Sequence, residues 1–126
     1  MVMKKKLNPI VFLLGIAVFF FSSCTTNPNF VLEQFVKHWF KGELEEAKPY
    51  LTPESRKYAD LLKNVKSLEE FEKMGKTKVK CKVMDMIKNN DSIRMYHCEI
   101  TLDGKKQEMD ICLKRLKHRW FIDIAN

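Results

Sequence analysis

At 126 residues, with 45% hydrophobic and 31% charged side chains, the chain has the length of one domain and the composition of a globular protein. Its formal charge is +7, but Lys4, Lys5 and Lys6 crowd one end; without them the balance is 20 basic against 16 acidic residues, a net of about +4. That mild excess, with no concentrated basic patch and no reading motif, excludes nucleic acid as a partner.

The first 23 residues read as a targeting segment. Lys4–Lys6 form a positive start, and Ile10–Phe21 is an uncharged run rich in Val, Leu, Ile and Phe. Its length suits the apolar region of a signal peptide and falls short of the roughly 20 residues that a membrane-spanning helix needs. Phe21, Ser22, Ser23 and Cys24 follow. They resemble the lipobox of bacterial lipoproteins, with Phe21 in place of the usual Leu. The resemblance implies cleavage before Cys24 and acylation, palmitate included, of Cys24, which would hold the protein on a membrane. The absence of Asp after Cys24 implies, by the same resemblance, an outer-membrane protein facing the periplasm. The expected division is therefore a signal peptide over 1–23, a lipidated tether over 24–28 and an α+β domain over 29–126.

Helical spacing begins after Asn29, a candidate N-cap. Phe30, Leu32, Phe35, Val36, Trp39 and Phe40 recur on one side, with Glu33, Gln34, Lys37 and Lys41 on the other. Gly42 stops this helix. A short helical stretch over 43–50 follows, with Leu44 and Ala47 apolar. Thr52-Pro53 opens a third helix that should carry Tyr58, Leu61, Leu62 and Val65 inward. Ser67 and Glu70 form a capping box for a fourth helix ending at Gly75.

Past Gly75 the period changes to two. Strands are expected over 77–88, 93–102, 105–116 and 119–124, joined by turns at 89–92, Asp103-Gly104 and Lys117-His118. Taking Asp103-Gly104 as a tip pairs Leu102 with Lys105, Cys98 with Met109 and Tyr96 with Ile111. Taking Lys117-His118 as a tip pairs Leu113 with Ile122 and Ile111 with Ile124. The two registers place the same apolar set on one face, so they support each other. Helices first and hairpin-linked strands after them mean α+β: helices packed on one face of a curved antiparallel four-stranded meander.

Gly42, Glu43, Leu44, Ala47, Tyr50, Leu51 and Thr52, together with Trp120-Phe121-Ile122-Asp123-Ile124, resemble the opening and closing segments of the lumazine-binding-like lipoprotein domain. That family belongs to the nuclear transport factor 2-like (cystatin-like α+β) superfamily. The resemblance implies a cone of helices against a bent sheet around a pocket, and by analogy it leaves a homodimer through the sheet open.

Each candidate constellation has a plainer counterpart. Lys76, Lys78, Lys80 and Lys82 share one face of a strand; a solvated face is the plain reading and contact with anionic lipid or glycan the sharper one. Cys81 and Cys98 fall on the core face as diagonal neighbours. They read as buried free thiols, with a disulfide open only if a bulge shortens the diagonal. Cys112 faces the other way. His97 and Cys112 are diagonal neighbours, but no zinc-ligand spacing occurs, so no metal and no cofactor is expected. Asp85 interrupts an inward series and would oppose Tyr96 as an acid–base pair in an apolar pocket. The plainer reading is a bent strand that turns Asp85 to solvent and brings Met84 and Met86 to the core. Trp39, Tyr58, Tyr96 and Trp120 are candidate pocket walls or simply core. The favoured function is a non-catalytic, membrane-tethered module that binds a small molecule or an envelope protein. A small enzyme using Asp85 and Tyr96, and a cell-envelope scaffold, are the alternatives.

Overall fold

The computed structural model describes residues 27–125. The signal segment and Cys24 lie outside the described residues.

Helix α1 runs Pro28–Phe40. Its N-cap is Asn27, not Asn29: the Asn27 Oδ1 accepts from the backbone N–H groups of Asn29 and Phe30. Pro28, expected in the tether, takes the first helical position instead, where its missing N–H costs nothing. The helix ends in a Schellman turn. Gly42 has φ +74°, its N–H donates to the Trp39 carbonyl, and the Glu43 N–H donates to the His38 carbonyl. Helix α2, Leu44–Ala47, continues into a 3₁₀ turn, Lys48–Tyr50. Helix α3 spans Pro53–Val65 behind the Thr52 cap, and helix α4 spans Leu68–Gly75 behind the full Ser67–Glu70 capping box.

One expectation for α3 is reversed. Ser55 and Ala59 are buried and Leu62 is partly so, while Tyr58, Leu61 and Val65 are exposed. The cap at Thr52 sets the rotation, and the small side chains let the helix approach closely. Tyr58 is therefore a surface residue.

Strands β1 (Val79–Asn89), β2 (Ile93–Leu102), β3 (Lys105–Leu116) and β4 (Arg119–Asp123) form one antiparallel sheet in sequence order. Leu102↔Lys105, Cys98↔Met109, Tyr96↔Ile111 and Leu113↔Ile122 pair as the turns dictate. Pairing with β4 stops at Cys112↔Asp123, one step before the expected Ile111–Ile124 pair. A parallel bridge, Leu51↔Ile122, ties the segment before α3 to the last strand.

β1 departs from simple alternation. Cys81↔Ile100 and Val83↔Cys98 pair as expected, but register shifts between Val83 and Asp85, and between Met86 and Lys88, bring Asp85 opposite His97 and Met86 opposite Tyr96. The expected Asp85–Tyr96 opposition does not form, because Met84 is an extra residue ahead of Asp85. The core lies between α1 and the sheet. Leu32, Val36, Leu51, Tyr96, Ile100, Leu113 and Ile122 are almost wholly buried there. Tyr96 and Trp120 belong to this core as well.

Candidate functional site

The candidate site is a cleft of about 520 Å³ where β3 runs on past the end of β4. Because β4 stops at Asp123, the β3 edge over Met109–Ile111 loses its neighbour, and the last two turns of α1 face it. Phe35 and Trp39 form one wall, stacked with ring centroids 5.3 Å apart and 28° between planes. Phe40 extends that wall, and Met95, Met109, Ile111 and Ile124 supply the rest of the apolar lining. The two methionines are unbranched and polarisable, so they adapt to varied shapes.

Polar groups enter at three points: Asp110, Cys112 and Asp123. Asp123 is buried. Its Oδ1 accepts from Ser55 Oγ at 3.4 Å and from the Ala125 N–H at 3.2 Å, while Oδ2 meets the Lys114 ammonium at 2.9 Å. Asp123 in turn raises the Lys114 pKa. Ser55 Oγ also accepts from Thr52 Oγ1 and from the Ile124 N–H, each at 2.8 Å. This network locks α3 to the end of β4 and fixes the rim of the cleft.

Cys112 is the thiol of the cleft. Desolvation, then the Asp123 carboxylate, push its pKa up, so it stays protonated at neutral pH and is a poor nucleophile. Among the described residues no histidine hydrogen-bonds to it. His97 gives Nδ1 to Asp110 and Nε2 to Glu108, each at 2.6 Å. Asp110, then Glu108, raise its pKa. No group of three or more metal-ligating side chains suited to an ion occurs among the described residues.

The other sequence candidates are scattered. Asp85 is exposed, and its Oδ1 accepts from the Met86 N–H at 2.8 Å. Met84 and Met86 are exposed as well and do not replace it in the core. Tyr96 is buried and accepts from Arg94 Nη1 at 3.4 Å, and the Arg94 guanidinium lies 5.1 Å from the Trp120 ring centroid. Cys81 and Cys98 are free; the Cys98 thiol donates to Cys81, which with burial keeps Cys98 protonated and lowers Cys81. Trp39 alone of the four aromatic candidates lines this cleft. Sequence reasoning missed Met95 and Met109 as walls. Their signal was weak, since the early end of β4 is what uncovers them.

A second hollow, about 750 Å³, lies beside the β3–β4 turn. It is lined by Arg56, Arg115, Lys117 and Arg119 with Pro53, Leu116 and Phe121. It has four cations and no carboxylate in its lining, and it suits an anionic group.

No family model matches the chain, and no curated protein matches it. Among solved structures, it is similar to a Campylobacter jejuni protein described as a nuclear transport factor 2-like transpeptidase, with 15% sequence identity and a TM-score of 0.53. The likeness covers 78% of this chain and 98% of that one. At that identity the shared property is the fold, and the chain has the nuclear transport factor 2-like α+β fold.

Proposed function

We propose that this chain is a lipid-anchored protein of the bacterial cell envelope, held at the outer membrane by Cys24 and facing the periplasm, whose domain binds a small apolar molecule without catalysis. The finer likeness to lumazine-binding-like lipoprotein domains belongs to the same proposal. The observation that carries it is the aromatic and methionine-lined cleft at the β3 edge. Its volume falls within the range of small-molecule sites, and its lining is mostly apolar with a few polar groups.

Catalysis draws little support. Asp85 and Tyr96 do not face each other. A transpeptidase, the activity in the description of the structural neighbour, needs an activated nucleophile. Cys112 is held protonated, and both ring nitrogens of the nearby His97 are occupied. The anchor rests on the order Lys4–Lys6, Ile10–Phe21, Ser22-Ser23-Cys24. Among the described residues no helix is long and apolar enough to cross a membrane.

The test is native mass spectrometry on the mature chain extracted from its own membranes, beside a denaturing spectrum. Acyl chains on Cys24 appear in both. An added mass of a few hundred daltons in the native spectrum alone, lost in Trp39→Ala with the thermal transition retained, is the expected result. Equal masses would sink the small-molecule reading and leave a scaffold or protein-binding role.

A further inference from the structure

The outer half of β1 is an exposed apolar strip on a sheet edge. Val83 is 43% exposed, Met84 48%, Met86 40% and Ile87 53%. Soluble domains seldom leave four large apolar side chains together on an edge strand without a use for them. The two register shifts create the strip. Met84 and Ile87 are the extra residues at the shifts, and Val83 and Met86 stand on the helix-facing side, opposite Cys98 and Tyr96.

The place of the strip says what covers it. Val83 and Met86 line a hollow together with Asn29, Leu32 and Glu33 of α1. Asn29 lies in the first turn of α1, and Pro28 begins that helix four positions after Cys24. Four residues reach at most about 14 Å when fully extended. Whatever surface holds the lipid on Cys24 therefore lies within that distance of the start of α1, and the strip adjoins that start. Charge agrees with a lipid surface. Lys80, Lys82 and Lys88 are exposed along β1 and Asp85 is its sole carboxylate; Glu33 is the acidic residue of the hollow. Lysine stems lie along apolar surface while the ammonium reaches phosphate. An edge-on approach keeps the unpaired strand backbone at the hydrated headgroup level, where its polar groups stay solvated.

We infer that Val83, Met84, Met86 and Ile87 form a membrane-contacting edge that rests on the anionic headgroup layer of the bilayer anchoring Cys24. This rests on the lipid anchor proposed above. The acyl chains supply attachment, and the strip supplies a fixed orientation, with β1 toward the membrane and the opposite edge, β4, away from it.

The experiment places a photo-crosslinking amino acid at Met84 or Ile87 in the full-length chain, in intact cells. Leu116, 41% exposed on the β3–β4 turn at the other edge, serves as the comparison. The expected result is a phospholipid adduct at Met84 and Ile87, identified by mass, at least about tenfold more abundant than at Leu116. A crosslink to a second copy or to another protein, or no adduct at all, overturns the inference. Membrane fractionation of the native chain and of Cys24→Ala separates the two failures. A chain that Cys24 anchors but whose β1 carries no lipid leaves the anchor standing and removes the strip. A chain that is soluble with Cys24 intact overturns both.

Discussion

Gly42 carries two demands that no other residue meets. Its φ of +74° lies in the left-handed region, and a Cβ there would come within 3.0 Å of Phe71 Cδ1 and 3.2 Å of Met74 Cβ. The α1 stop and the packing of α4 over it thus depend on the same missing side chain. Gly42→Ala should cost about 1–3 kcal/mol, read as a lower urea midpoint. At His97 the argument concerns protons. Asp110 and Glu108 raise its pKa above the ordinary 6.5, so the folded state binds the proton more tightly than the unfolded one. The stabilisation is full below 6.5 and is lost as pH rises through the raised value. The Tm advantage of the wild type over His97→Gln should be larger at about pH 5.5 than at about pH 8.5. A constant difference would mean that the contacts act without the charge. The glycine stop was legible in the sequence, since glycine ends helices for a known reason. The His97 pairing needed the β2–β3 register as well.

Among the elements, the β3–β4 turn is the most strained. Lys117 and His118 have φ values of +50° and +69°, the conformation of a tight hairpin turn in which Asn-Gly is favoured. The strand pattern alone located this turn, because Leu113 and Ile122 must meet on the core face. Replacing the pair with Asn-Gly should stabilise the domain by about 1–2 kcal/mol, measured by thermal unfolding. No gain would show that the native side chains offset the strain through contacts of their own. β1 and α3 were less legible. A period of two does not reveal an extra residue: simple alternation sets Asp85 opposite Tyr96, whereas the bulge sets it opposite His97. On α3 the large apolar side chains pointed to the wrong face. Ser55 and Ala59 go inward because close approach and the hydrogen bonds to Thr52, Asp123 and Ile124 outweigh the burial of Tyr58.

At the scale of the molecule, the α+β architecture followed from patterning, since both hairpin tips specified one buried face. The cleft did not follow. It exists because β4 ends one pair early, which is an outcome of packing. The parallel bridge between Leu51 and Ile122, with the Thr52 N–H donating to the Ile122 carbonyl at 2.9 Å, has a bearing on the order of assembly. Each strand pairs with its neighbour in sequence, so the meander can grow outward from its turns with little loop entropy to overcome. The bridge instead closes a loop through most of the domain. It should form after the transition state. Ile122→Val should then speed unfolding several-fold and leave the folding rate nearly unchanged, a φ-value close to zero for a loss of about 1 kcal/mol. A φ-value near one would place the clasp at the start of folding and make the chain's late strand its nucleus.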